Sequence, residues 1–178
     1  MSTPNKERKI AIVGSRTVGK SSLAVQFVDH HFVDHYYPTI ENEFNKSVQY
    51  NGRGQDEFSI ISNKLLIGIH GYILIYSITN RQSFEMIRLI RDKILDTLEI
   101  DRPMIIVGNK SDLNLQRQVS YEELKELGKE FGGVPVMECS AKSNYNVDTV
   151  FESIVKEIEK FEGGGEEEKR EEGGCAIS

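Results

Sequence analysis

The sequence predicts a doubly wound α/β domain on a mostly parallel sheet, and three observations carry that reading. The apolar β-branched run Ile10-Ala-Ile-Val13 leads straight into a glycine-rich segment and then a helical pattern. Three further apolar runs, Tyr72-Ile-Leu-Ile-Tyr76, Met104-Ile-Ile-Val107 and Val134-Pro-Val-Met137, read as buried strands. They alternate with helical patterns at Ser83 to Leu98, Ser120 to Phe131 and Val147 to Phe161. Such alternation lays helices on both faces of a parallel sheet and gathers ligands at the carboxyl ends of its strands.

Each element has its own local signal. Leu23, Val25, Phe27 and Val28 place a helix after the glycine-rich loop. Phe44 to Tyr50 suits a strand that ends at an Asn51-Gly52 turn. Ser120-x-x-Glu123 is a capping box at the head of the middle helix. Val147, Val150, Phe151, Ile154, Val155, Ile158 and Phe161 follow the 3.6-residue period of a helix laid on a core.

With 178 residues the chain has room for one domain and a sizeable core. Residues 1–162 are expected to form it, followed by a flexible acidic linker at 163–174, whose run of Gly, Glu, Lys and Arg has no apolar residue to bury, and a terminal signal at 175–178. The net charge of −6 argues against nucleic-acid binding as the main role. No run is apolar enough to span a membrane and residues 1–9 are polar, so a cytosolic chain is expected. Cys139 and Cys175 make no disulfide framework.

The chemistry starts at Gly14-Ser-Arg-Thr-Val-Gly-Lys-Ser-Ser22, a phosphate-binding loop in the strand-before, helix-after context such a loop requires. Gly14 and Gly19 permit backbone in which successive N–H groups surround a phosphate, and the following helix presents its positive end. Lys20 would reach the β and γ phosphates, and Ser21 would place its hydroxyl on Mg²⁺. Asn109-Lys-Ser-Asp112 and Ser140-Ala-Lys142 follow two successive strands, where a base would lie. A carboxylate such as Asp112 can accept hydrogen bonds from guanine N1–H and its exocyclic amine, which adenine cannot supply.

Together with Tyr36-Tyr-Pro-Thr-Ile-Glu41 and Gly54-Gln-Asp-Glu57, these motifs resemble those of the Ras superfamily of small GTPases, over nearly the whole chain. The resemblance implies the small G-domain of the P-loop NTPases, monomeric, binding GTP or GDP with Mg²⁺ and hydrolysing GTP. Arg16, Thr17, Val18, Gly19, Lys20, Ser21 and Ser22 would hold the phosphates. Phe32, Val33, Asp34, Tyr36, Pro38 and Thr39 would approach from switch I, with Phe32 stacked on guanine, and Gly54 from switch II. Asn109, Lys110, Asp112, Ser140, Ala141 and Lys142 would surround the base. Ser21 and Thr39 would ligate the metal, while Gln55, Lys20 and Thr39 would serve catalysis.

Within the superfamily the pattern is similar to the Rheb branch, through Arg16, Pro38-Thr-Ile-Glu-Asn42, Gly71-Tyr-Ile-Leu-Ile-Tyr-Ser77 and Ser120-Tyr-Glu-Glu123. That similarity implies signalling to target-of-rapamycin complex 1 and control by the tuberous-sclerosis GAP complex. Arg16 stands where many Ras-like proteins keep glycine. It either crowds the attacking water and Gln55, slowing hydrolysis, or projects into solvent. Tyr37 replaces the usual acid of the effector segment. His30, His31 and His35 lack the neighbours of a metal site and read as helix-end and loop residues.

Cys175-Ala-Ile-Ser178 is a C-a-a-X signal whose terminal Ser favours farnesyl transfer by farnesyltransferase. One prenyl chain gives weak, reversible membrane binding, and the acidic run Glu166 to Glu172 opposes anionic plasma membrane. The expected location is the cytoplasmic face of endomembranes and lysosomes, with a cytosolic pool.

One departure is large. The family places a strand ending in Asp-x-x-Gly before switch II, between the Phe44 strand and the phosphate-loop strand, yet only Asn51-Gly-Arg53 separates Tyr50 from Gly54. Roughly ten residues are missing relative to the family, about a strand and a turn. The sheet is therefore expected to lack one strand, unless Phe58-Ser-Ile-Ile61 moves into the gap and consumes switch II. Three outcomes stay open: a GTPase with an atypical switch II, a GTP-gated adaptor that does not hydrolyse, and a truncated non-functional isoform.

Overall fold

The computed structural model describes residues 7–34, 42–50, 53–62, 68–98 and 101–171, with backbone alone for 42–50, 53–62 and 164–171. In chain order the elements are β1 (Glu7–Val13), α1 (Lys20–Asp29), β2 (Asn42–Tyr50), β3 (Arg53–Ser62), β4 (Gly71–Ser77), α2 (Arg81–Leu98), β5 (Met104–Asn109), a 3-10 turn (Ser111–Gln116), α3 (Tyr121–Glu130), β6 (Val136–Glu138) and α4 (Val147–Glu171). The sheet has the order β2-β3-β1-β4-β5-β6. β2 runs antiparallel to β3, and every other neighbouring pair is parallel. This is the doubly wound α/β class expected.

The strand period of two sorts the core onto the two faces of the sheet. From β4, Ile73 and Ile75 join Leu23 and Phe27 of α1 and Val150, Phe151, Ile154 and Ile158 of α4. Tyr72, Leu74 and Tyr76 point the other way, onto Phe84 and Ile87 of α2 and Leu124 and Leu127 of α3. Phe27 and Phe151 stack with ring centroids 3.8 Å apart. Gly71 lets α4 pack close to β4: a Cβ there would lie 2.9 Å from the Cδ1 atoms of both Ile154 and Ile158, which would have to shift to admit it. On the opposite face α2 and α3 are clasped by Arg81–Glu123 and Arg88–Glu130 pairs and by Arg91, whose guanidinium lies 4.4 Å over the Phe131 ring. The capping box forms as expected, Glu123 N–H donating to Ser120 Oγ and Ser120 N–H to the Glu123 carboxylate.

The expectation of a missing strand is corrected. Arg53–Ser62 forms β3 and fills the position between β2 and β1, pairing Lys46 with Phe58 on one side and Arg8 with Phe58 on the other. The reason is the ladder: leaving the outer edge of β1 unpaired would strand buried N–H and C=O groups at about 1–3 kcal/mol each. Phe58-Ser-Ile-Ile61 is the nearest β-competent segment, and it pairs antiparallel to β2. The connection from Asn63 to His70 is then short, since a parallel crossover usually takes about a dozen residues or more.

Two boundaries also move. β6 is Val136–Glu138 rather than Val134 to Met137, with the Pro135 carbonyl accepting from Ile106 N–H at its mouth. α4 continues beyond Glu162 to Glu171, so Gly163 to Glu171 is helical where a flexible linker was expected. Gly163 to Gly165 oppose this at about 1 kcal/mol each, while Glu, Lys and Arg beyond them are good helix formers and an existing helix propagates at lower cost than a new one nucleates.

Ser59 sits mid-strand, paired with Lys9 and with Asn45. Ser59→Pro should remove a ladder bond at a central strand and cost at least ~3 kcal/mol, lowering the melting temperature by roughly 6–12 °C in a domain of this size. Thermal unfolding followed by circular dichroism measures it; an unchanged midpoint would mean 53–62 lies outside the sheet.

Candidate functional site

The site is built at the carboxyl ends of β1, β5 and β6. The phosphate loop leaves β1 at Val13 and turns into α1 through Thr17 and Gly19, at φ 64° and 99°. Both values are left-handed, and at Gly19 a side chain is excluded twice over, because a Cβ there would lie 2.3 Å from Asn109 Nδ2. Gly14 is held as tightly, with a hypothetical Cβ 2.1 Å from the Ile75 carbonyl oxygen. α1 opens without a side-chain cap and with no acid in its first turn, so the chain leaves the positive end of this helix without a negative group of its own. Phosphate oxygens fit that end.

Lys20 Nζ donates to the Gly14 and Ser15 carbonyls at 2.9 and 2.7 Å, curling the loop around its ammonium. Burial first, and the positive charge of Arg16 second, hold the Lys20 pKa below the usual lysine range. Arg16 itself is exposed, as is Thr17, while Val18 is buried in the core shared by α1 and α4. Of the two alternatives, the exposure of Arg16 agrees with a side chain that projects into solvent, and its charge also lowers the Lys20 pKa. Ser21 and Ser22 lie half-buried in the first turn of α1.

Asn109, at the end of β5, is buried and joins three loops. Its Nδ2 donates to the Val18 carbonyl at 2.9 Å, and its Oδ1 accepts from Ala141 N–H at 3.2 Å and from the Cys139 thiol at 3.5 Å. Burial pushes the Cys139 thiol up to about 12, with Glu138 and Asp112 adding to it, so Cys139 is a packed, un-ionised residue. Lys110, at φ 66°, reaches back to donate to the Thr17 carbonyl at 2.8 Å. The loops after β5 and β6 meet where Ser140 Oγ donates to Asp112 Oδ1 at 2.6 Å and accepts from Ser143 N–H at 3.1 Å. Lys142 is exposed at the rim. A polar cavity of about 320 Å³, lined by Thr17, Ser77, Thr79, Asn80, Lys110 and Gln118, adjoins the phosphate loop.

Phosphate loop and base loops thus form one continuous site from Gly14 to Lys142. Phe32 is half-buried against the core cluster that contains Phe27 and Phe151, and Val33 and Asp34 are exposed beyond it. Tyr36, Tyr37, Pro38, Thr39 and Cys175 lie outside the described residues, as do His35 and Asn51.

Gly54 and Gln55 are not brought to the site. They belong to β3, where Gln55 pairs with Gln49 and lies beyond the Glu7–Glu57 pair at the amino end of β1. The phosphate loop leaves the other end of that strand, so at about 3.3 Å per residue Gln55 is on the order of 25 Å from it along the sheet. The placement of Gln55 beside the γ-phosphate is corrected on that register.

Two residues at the base loops escaped the sequence reading, Arg117 and Glu138. Opposite charges just after one base motif and just before the other were the available signal, and the structure joins them in a salt bridge of 2.6 Å.

A sheet of this order, a phosphate loop after its first strand and a base carboxylate after its fifth define a nucleotide-binding α/β domain of the small G-protein class. The Ras family model matches residues 9–160, and the chain belongs to that family of small GTPases, which hydrolyse GTP to GDP. It is 56% identical over 167 positions to the small monomeric GTPase RhbA of Aspergillus fumigatus, covering 87% of this chain and 89% of that protein. It is 52% identical over 168 positions to the GTP-binding protein rhb1 of Schizosaccharomyces pombe, covering 88% and 90%. Human GTP-binding protein Rheb is 46% identical over 176 positions, covering 93% and 95%. Those 176 positions take in about 166 of the 178 residues here, 93% of them, so roughly ten positions of the relative have no counterpart, about the length of a strand and a turn.

Because Gln55 is held in β3, Gln55→Leu should change single-turnover GTP hydrolysis by less than about twofold. A tenfold loss would place Gln55 at the γ-phosphate instead.

Proposed function

We propose that this chain is a guanine-nucleotide-operated switch of the Rheb type that hydrolyses GTP slowly. The observation that carries it is Asn109, whose one side chain fastens the phosphate loop at Val18 to the base loop at Ala141 and so makes two subsites into one nucleotide-sized site. Lys20 and the open end of α1 would neutralise the phosphates, and the two oxygens of Asp112 would accept from the guanine edge. Ser21, with Thr39 from switch I, would ligate Mg²⁺, which would supply positive charge to offset that of the phosphates. Slow hydrolysis follows from Arg16 at the loop and from β3, whose register leaves the phosphates without Gln55 to orient a water.

The same reading extends to the family's signalling. Target-of-rapamycin complex 1 is the proposed effector and the tuberous-sclerosis GAP complex the proposed regulator, on the resemblance of Pro38-Thr-Ile-Glu-Asn42 and on relatives that carry the Rheb name. Farnesylation at Cys175 would provide reversible attachment to endomembranes and lysosomes, the acidic run Glu166 to Glu172 disfavouring anionic plasma membrane.

Titration calorimetry of the folded chain should show GDP bound in preference to ADP, and Asp112→Asn should move the preference from guanine to xanthine nucleotides, whose 2-oxo group an amide donor satisfies. Equal binding of GDP and ADP by the wild type would remove the base-site reading. In cells, Cys175→Ser should shift a tagged chain from membranes to diffuse cytosol; a wild type held tightly at the plasma membrane would contradict the charge argument.

A further inference from the structure

The Arg117–Glu138 pair is built more completely than an ordinary surface salt bridge. Arg117 Nη1 and Nη2 donate to Glu138 Oε1 and Oε2 at 2.6 and 2.9 Å, the two-pronged arrangement in which a guanidinium binds a carboxylate best. The remaining reach of the fork is used too: Nη1 also donates to the Val119 carbonyl at 3.0 Å, and Nε donates to Asn114 Oδ1 at 2.8 Å. Arg117 N–H donates to the Asn114 carbonyl at 3.2 Å, closing the 3-10 turn that carries Asp112. Side-chain exposures of 24% and 14% set the pair apart from the α2–α3 clasps, whose members are 36–49% exposed.

At its other end the bridge grips the Ser140 loop. Glu138 ends β6 two residues before Ser140, and its carbonyl accepts from Asn146 Nδ2 at 2.9 Å, where α4 begins. The Ser140 loop is closed from within by paired bonds between Ser140 and Tyr145. Arg117 therefore ties the turn bearing Asp112 to the strand end bearing Ser140, whose hydroxyl holds Asp112 Oδ1. Asp112 Oδ2 makes no hydrogen bond to another described residue.

We propose that Arg117 and Glu138 are positioning residues for guanine selection, a strut that sets the Asp112 carboxylate to receive both the N1–H and the exocyclic amine of the base. This role rests on the assignment of Asp112 to the guanine edge. A carboxylate accepts two such bonds together only when its plane is fixed, and the strut fixes the backbone of both loops that determine that plane. Removing it leaves Asp112 chemically intact but free to turn, so the weaker, second bond to the amine is lost first.

Inosine diphosphate lacks that amine and is otherwise like GDP, so the ratio of the two affinities reports on the second bond alone. Arg117→Met and Glu138→Gln should release a fluorescent GDP analogue about tenfold faster and bring the GDP-to-inosine diphosphate affinity ratio close to one, while affinity for inosine diphosphate changes little. Arg117→Lys should lie between, keeping the charge and losing the two-pronged bond. The exchanged pair Arg117→Glu with Glu138→Arg should recover part of the ratio, which covers the case in which a single variant folds poorly. A wild-type ratio in folded Arg117→Met or Glu138→Gln, or equal losses for both nucleotides, would overturn the proposal. A ratio of one in the wild type would overturn the base-site reading instead.

Discussion

A strand edge inside a sheet has to be paired, and that constraint decides more about this molecule than any single side chain. β1 carries the phosphate loop at its carboxyl end and must be flanked on both sides to hold that loop still. One side is taken by β4. The other is taken by β3, drawn from a segment whose motif, Gly54-Gln-Asp-Glu57, belongs to catalysis in the family it resembles. The structure thereby keeps its scaffold complete and withdraws Gln55 from the chemistry. Backbone hydrogen bonding and nucleotide hydrolysis compete for the same residues, and the ladder prevails because it joins β3 to two strands at once.

The rest of the site survives this exchange because it hangs on the other half of the sheet. Asn109, Lys110, Asp112, Ser140 and Ala141 follow β5 and β6, whose pairing with β4 does not involve β3. Asn109 bonds across to Val18, and Lys110 across to Thr17, so the base loops themselves brace the phosphate loop. The residues proposed for binding are held by β1, β5 and β6, whereas the segment proposed for hydrolysis, Gly54-Gln-Asp-Glu57, is held apart from them in β3.

The binding half of the site could be read from the sequence because its residues are constrained by contact at short range. Gly19 faces Asn109 where a Cβ would collide, so the glycine of one motif is required by the asparagine of the other. Buried strands such as Tyr72 to Tyr76 were legible as unbroken apolar runs, and the Ser120 cap as a local pair. The role of Gln55 was misread because a motif carries its chemistry only at the right height in the sheet, and height depends on register, a long-range property. The helix beyond Glu162 was missed because a run of Glu and Lys suits both a solvated coil and a helix, and α4 arriving from upstream tips the balance. Arg117 and Glu138 were missed because they are separated in sequence and meet only after β6 has docked.

The helical continuation of α4 bears on how the chain presents its end. Arg8, almost wholly buried on β1, bonds Glu162 at 2.5 Å and pins the helix to the body at that point. From Gly163 to Glu171 the helix then extends by roughly 13 Å. A flexible coil of the same length would reach about 16 Å, but in every direction. Distance is little altered by folding this stretch; bearing is altered completely. As far as Glu171 the chain therefore leaves the body along one axis set by the buried arginine, rather than along many as a loose string would.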